Sequence, residues 1–501
     1  MSYETLEVAI TALEATNDRL ATAVERTEQE ATEAIRVSNL SADLAAASET
    51  VATAKAGIAV DKALIATTQA DLSEASAVRS AASAASAAAV VSGGLASLTP
   101  DAGMIPLADG DGKLDEEWLR LAHTTGQSKK HFMSQKAITD AISGFVPYLD
   151  SYGLTWDSGE DTYERIGSEN YTAIQSLMRR CLVLPDGTVD YYLSATDSRY
   201  RENGTGANIT GAGGYLGNVM VQVPKFYVKY TMSVLLRTLE ISLTPKDGFV
   251  VHPAFFKAGV EVDFRYYRAY KGTEVDGKLR SISGVNPTNS KSFTAFRELA
   301  KANGSGWHLT DFNLLNAIKT LMTIEIGTLN TQAVLGVGNT SGADYTRITG
   351  LSNSLGNASS KSPNSSFMSY RGIEDFYGTT WETIDGINFR DLEVFTNSNH
   401  TTFDSNVFSG DYTSLDMFLP VANSSYIKDL HFSEDGILPT SVEGASSSTF
   451  VTDAMWSSEE GNRVYYHGGS AYYGLYAGGV GLSANQYSSY ALANNGAGVS
   501  Q

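Results

Sequence analysis

The sequence predicts an α+β protein: an N-terminal α-helical coiled-coil shaft followed by a β-rich, aromatic C-terminal region. Three observations carry that expectation. Residues 3–34 hold a heptad repeat. Of the 26 tyrosines only Tyr3 lies in the first hundred residues, and the other 25 run from Tyr148 onward. Residues 219–230 (VMVQVPKFYVKY) alternate with period two on either side of Pro224, the pattern of a strand with one face buried. The chain has 501 residues, a length that suggests about three domains.

In the heptad, Tyr3, Ile10, Asn17, Val24 and Ala31 share one position, and Leu6, Leu13, Leu20, Thr27 and Ala34 fall three residues later. That 3-4 spacing keeps one stripe facing partner helices. Leu6, Ile10, Leu13, Asn17, Leu20 and Val24 are therefore the candidate oligomerisation residues, with Asn17 fixing register. The pattern is compatible with two strands as well as three, and a lone amphipathic helix would show the same stripe. Residues 35–92 are rich in Ala, Ser and Thr with no Pro and one Gly, Gly57. Ala is the best helix former, so this reads as a continuing thin helix. Disorder is the competing reading, because small side chains bury little area. Gly93-Gly94 and Pro100 end the segment. The chain start shows no basic region followed by an apolar run, so no secretory signal is expected. No apolar run reaches the ~20 residues that span a bilayer.

Charge and cysteine narrow the function. There are 36 Lys plus Arg against 56 Asp plus Glu, a formal net charge of -20. Nucleic-acid binding needs a basic face, and docking on anionic lipid needs one too. Cys181 is the one cysteine, which leaves no intramolecular disulfide and no Cys-based zinc site. Asp109-Gly110-Asp111-Gly112 is a turn cluster. Its spacing does not complete a twelve-residue calcium loop with a terminal Glu. No metal and no cofactor are expected.

The expected organisation is a shaft and attachment region over 1–98, a collar over 99–146, a β-rich lead-in over 147–215 and a binding domain over 216–501. A short helix is expected over 134–145. Residues 260–270 read as strand. Residues 310–324 (TDFNLLNAIKTLMTI) give the clearest helix, capped by Thr310 or Asp311, with Phe312, Leu315, Ile318, Leu321 and Met322 at helical spacing. Beyond Ile326 the chain is Gly, Ser, Asn and aromatic residues in long loops, which are usually functional or disordered.

Two resemblances rest on these residues. Residues 104–119 (MIPLADGDGKLDEEWL) resemble the short collar that follows the helical shaft of many phage tail fibres. Further on come Trp307-His308-Leu309-Thr310 with the helix after it, then 370–386 (YRGIEDFYGTTWETIDG), then 462–470 (NRVYYHGGS), then 494–498 (NNGAG). In that order they resemble the C-type-lectin-like fold of the formylglycine-generating-enzyme type. In particular they are similar to the ligand-binding variable proteins of diversity-generating retroelements and to related phage tail-fibre tips. The resemblance covers residues 150–501. Ala471 stands where the family has Trp, and Gly496-Ala497-Gly498-Val499 stands where it has GARL. Both departures put the packing of the last strand in question. The enzymatic branch of the family needs a cysteine pair or a histidine-rich iron site. One cysteine and seven scattered histidines supply neither, so no enzyme is expected.

The resemblance implies a tail-fibre receptor-binding protein, part of the virion and assembled in the host cytoplasm. It would be a homotrimer, held to tail or baseplate proteins by its N-terminal region. Its C-terminal domain would bind a host surface receptor, a glycan or an outer-membrane protein. A bacterial adhesin and an envelope-polysaccharide depolymerase are the alternatives. Arg371, Glu374, Asp375 and Glu382 are the carboxylates and partner such a hydrolase would draw on, but the resemblance gives them a structural role. The expected binding residues are Trp456, Tyr465, Tyr466, His467, Tyr472, Tyr473, Tyr476, Asn485, Tyr487 and Tyr490, interleaved with Gly and Ser. Tyr supplies amphipathic contact area at low entropy cost, and Ser, Gly and Asn supply adaptable hydrogen bonds. Alternate members of the set should face the core. With a charge of -20, affinity for an anionic envelope must come from short-range contact rather than steering.

Overall fold

The computed structural model describes residues 17, 19–20, 96–97, 105–106, 151–168, 170–405 and 411–501. Among them the chain is mostly β, 37% strand and 14% helix, with three α-helices and a curled β half-barrel. That finding overturns the expected fold class, an α+β chain with a helical coiled-coil shaft and a C-type-lectin-like end. Among the described residues no long coiled-coil shaft is seen. The helical share of the expectation rested on the heptads and the Ala-rich stretch. Nearly all of the 1–98 shaft and the 99–146 collar, including Leu6, Ile10, Leu13 and Val24, lie outside the described residues. Asn17 and Leu20 are helical and exposed in the single chain.

The chain divides into two compact units, Met1–Phe132 and Met133–Gln501. In the first, the two-residue strands Ala96–Ser97 and Ile105–Pro106 pair in parallel. The second contains three main sheets.

The first sheet has five strands, with Tyr152–Asp157 paired to both Thr162–Gly167 and Leu236–Ser242. Residues on either side of the expected 215/216 boundary therefore share one sheet. The second has six strands around Asn218–Pro224, whose seven residues are all buried. The period-two run 219–230 is not one strand. It breaks after Pro224, and its second half, Tyr227–Met232, joins the first sheet instead. Proline has no N–H to give to a ladder, and buried Phe226 pivots the chain between sheets. The 260–270 run is likewise two short strands, Val260–Glu261 and Phe264–Arg268.

The third sheet has eight strands built around Trp381–Arg390 and Asn462–His467. Because neighbouring side chains on a strand point to opposite faces, it separates two apolar cores. Ile384, Met455, Tyr465 and Leu482 share a core with Leu314, Ile318 and Leu321 of the helix Phe312–Ile326. Trp381, Ala454, Trp456, Val464 and Tyr466 share the other with Met220, Phe293 and Phe296. The helix begins two residues later than expected. The Asp311 carboxylate accepts from the Leu314 N–H at 2.9 Å, and Gly327 ends the helix at φ 73°. The shorter helix Phe293–Lys301 is bolted to the third sheet by Arg297, whose Nε and Nη2 donate to Asp385 at 2.6 and 2.8 Å.

The second and third sheets meet at Glu382, which is fully buried. Its Oε1 accepts from Arg268 Nε at 2.7 Å, Thr310 Oγ1 at 2.9 Å and the Tyr267 hydroxyl at 3.2 Å. Its Oε2 accepts from Arg268 Nη2 and from Lys271 Nζ. Burial opposes ionisation, yet Arg268 and Lys271 hold the carboxyl well below the usual range. Gly498 passes so close that an added Cβ would lie 2.5 Å from Glu382 Oε1 and 2.3 Å from Arg268 Cδ, a position only glycine fits.

Burial also pushes the imidazoles of His252, His308 and His467 down, His252 to about 3. Their folded pKa values lie below the unfolded one, so the unfolded chain takes up protons first as pH falls through ~6.5. Asp453 and Glu374, pushed up by burial, act in the opposite sense, holding protons in the folded state that the unfolded chain releases. Burial also lowers His400, to about 4, and His431, so five imidazoles stand against two carboxyls, each group being worth up to about 1.4 kcal/mol per pH unit. Stability should therefore fall between pH 6.5 and pH 4.5. Denaturant unfolding of the full chain across that range checks it, and a flat or rising stability on acidification would contradict it.

Candidate functional site

The loop after Gly468-Gly469-Ser470 is held by backbone contacts rather than by its own side chains. The Ala343 N–H donates to the Ala471 carbonyl at 2.8 Å, and the Gly474 N–H donates to the Thr340 carbonyl at 2.7 Å. The Val480 N–H donates to Asp453 at 2.8 Å. Gly478 lies against that carboxyl, where a Cβ would meet Asp453 Oδ1 at 2.0 Å. With its backbone pinned, the loop turns its aromatic side chains outward.

Those side chains stand on a buried floor. Trp381 and Trp456 meet edge to face at 5.5 Å, and Tyr473 packs on both, at 5.2 and 4.9 Å. Tyr476 lies 6.0 Å from Trp456 and 4.9 Å from Tyr426. Tyr472 stands edge to face against Tyr473 at 5.9 Å and is 71% exposed. Leu475 is 55% exposed beside it. The Trp456 indole N–H is satisfied by Ser424 Oγ at 2.7 Å, so this Trp presents ring rather than an unpaired donor. Tyr345 is close enough that Tyr473 and Tyr472 help burial raise its hydroxyl pKa. The result is a graded ledge: Trp381 and Trp456 beneath, Tyr473, Tyr476 and Tyr426 half-buried, Tyr472 outermost.

The expected residues sort by strand alternation and by loop. Tyr465, Tyr466 and His467 are core side chains, corrected here from the binding set. The Tyr465 hydroxyl oxygen accepts from Lys319 Nζ at 3.0 Å in one core. Tyr466 packs on Phe293 at 6.2 Å in the other. His467 lies edge-on to Phe376 at 4.7 Å. The strand Asn462–His467 lies inside the sheet with cores on both faces, so neither alternation phase reaches solvent. Trp456 is almost buried, as the floor. Tyr472, Tyr473 and Tyr476 form the ledge. Asn485 is half-buried and accepts from Ser483 Oγ at 2.9 Å. Tyr487 and Tyr490 form a separate exposed pair, 5.6 Å apart, with the Arg463 guanidinium 3.9 Å over Tyr487.

Sequence reasoning missed Tyr345, Tyr426, Ser424 and Leu475, which come from other segments or lack an aromatic ring. One signal would have found their setting. From Val464 to Gln501 there is no Asp, Glu, Lys or Arg, and the same holds for 326–343, 417–427 and 444–452. Two of these stretches hold Ser424, Tyr426, Tyr472, Tyr473, Leu475 and Tyr476, in a chain of charge -20, whereas Trp381, Trp456 and Tyr345 lie outside them.

The carboxylates of the 370–386 motif are engaged by protein donors. Glu374 accepts from the Gly350 N–H, the Ser352 N–H and the Ser352 hydroxyl. Asp375 accepts from Thr379 and Arg347, and Arg371 pairs with Glu325. Arg371, Asp375 and Thr379 all hold left-handed backbone, at φ 47°, 47° and 61°, conformations that surrounding structure must enforce. Among the described residues no group of three or more His, Cys, Asp or Glu could hold a metal ion. No described helix is long and apolar enough to cross a membrane.

No protein-family model matches the chain, and no curated protein matches it.

The division between core and ledge is directly measurable. Tyr465→Ala should cost about 3–5 kcal/mol, as large-to-small core changes do. Tyr472→Ala should change stability by less than about 0.5 kcal/mol. Chemical denaturation of both variants checks this, and equal losses would contradict it.

Proposed function

We propose that the protein is a receptor-binding component of a phage tail fibre, which recognises a host-cell surface through the aromatic ledge of its second unit. The observation that carries the reading is the ledge itself. Half-exposed Tyr473 and Tyr476 pack on two buried tryptophans, with Tyr426 against Tyr476, exposed Tyr472 against Tyr473 and exposed Leu475 in the same loop. An apolar group that conspicuous marks an interaction surface. Tyr on a fixed backbone binds with little ordering cost, because the loop is already tied to Thr340, Ala343 and Asp453. The likeness of the ordered motifs from Trp307 to Gly498, and of the 104–119 segment, to phage tail-fibre sequences supports the biological setting. In that setting the protein sits in the virion tail as a homotrimer. Several ledges then act together, and avidity multiplies a modest affinity.

Adsorption tests the reading. The full chain, labelled and incubated with a panel of bacterial envelope fractions, should bind at least one. The double variant Tyr472→Ala/Leu475→Ala, at the two most exposed positions of the loop, should lose about tenfold or more of that binding, since a few central residues dominate such interfaces, while its thermal melt stays near the parent's. Undiminished adsorption by the variant would refute the ledge as the binding surface.

A further inference from the structure

Resting on the reading of the ledge as a receptor site, we infer that its ligand is an uncharged carbohydrate. Three features of the site lead there. First, every side chain of the ledge is uncharged, and its outer members Ser424, Tyr426, Tyr472, Tyr473, Leu475 and Tyr476 lie in stretches, 417–427 and 464–501, with no Asp, Glu, Lys or Arg. The charges flanking Tyr345 in sequence are an exposed carboxylate, which repels an anion, and a guanidinium engaged within the protein. Asp344, next to Tyr345, accepts from its own loop, Thr346 N and Oγ1, both at 3.2 Å. Arg347 donates to the Ser366 carbonyl and to Asp375. A ligand carboxylate or phosphate seated here would shed water and gain no cation, which is unfavourable. The charge of -20 repels it at longer range as well.

Second, the ledge combines ring faces with neutral hydrogen-bonding groups. Ser424 and Asn423 are exposed on the strand beside Trp456, and the half-exposed tyrosines of the ledge each carry a hydroxyl. Rings take up the C–H faces of a pyranose, and hydroxyls and amides take up its hydroxyl edge. Third, protein interfaces draw their anchors from Arg as well as Tyr and Trp, and this ledge has no Arg. A protein receptor would find apolar contact here but none of the charged partners that fix its register.

The experiment uses the full chain and an envelope fraction that binds it, in four arms. Mild periodate, which cleaves sugar vicinal diols, should abolish binding, and protease treatment of the fraction should leave it intact. Blocking envelope carboxyls by carbodiimide amidation should change nothing. Raising NaCl from about 0.05 to about 0.5 M, which collapses the screening length, should alter affinity by less than about twofold. Binding that survives periodate and fails after protease would overturn the carbohydrate assignment while leaving receptor binding in place. Binding lost on amidation, or weakened about tenfold by salt, would show an acidic ligand and overturn it too. A chain that adsorbs to no fraction would remove the receptor reading itself.

Discussion

The buried ionised carboxylate of Glu382 is the constraint on which the rest of the second unit depends. A carboxylate in an apolar interior is tolerable only when paired and hydrogen-bonded on both oxygens. Glu382 draws its donors from Tyr267 and Arg268 on the second sheet, from Lys271 just beyond it and from Thr310 before the helix. Meeting that requirement fixes how the third sheet lies on the second. It also brings Gly498 into contact, so the last residues of the sequence are threaded through the same cluster. Such a cluster adds little to stability compared with a well-packed apolar alternative, but removing one member leaves the others stranded.

With the sheets so fixed, the third sheet has apolar cores on both faces, and Trp381 and Trp456 from two of its interior strands floor the ledge, with Tyr426 from its edge strand beside them. Trp381, one residue before Glu382, is the first floor residue of the site and stands against Trp456. The ledge is thus continuous with the scaffold at a single peptide unit.

What was legible in the sequence follows from how local each signal is. The helix at Phe312–Ile326 was readable because a cap and a helical period are local properties. The break at Pro224 was marked by the proline, but the assignment of its two halves to different sheets depends on long-range pairing that periodicity does not encode. Strand alternation predicts that one of the adjacent Tyr465 and Tyr466 faces the core and the other faces out, and instead both are buried. They are buried because their strand is internal to an eight-stranded sheet, a fact of topology. Tyr472, Tyr473 and Tyr476 sit in a loop whose composition did point outward. Tyr345 and Tyr426 reach the same place from more than forty residues away, which only the fold reveals. The expected fold class gave weight to a helical period in residues that the described structure barely touches.

The most direct test of this account is a double-mutant cycle between Arg268 and Glu382, using Arg268→Gln, Glu382→Gln and the pair, read by denaturant unfolding of the full chain. If the buried charge cluster joins the sheets, each single variant loses about 3–5 kcal/mol. The double variant then loses well under their sum, a coupling of at least about 1.5 kcal/mol. Losses that add to within about 0.5 kcal/mol would mean the two side chains act independently, and the account of how the sheets are joined would be wrong.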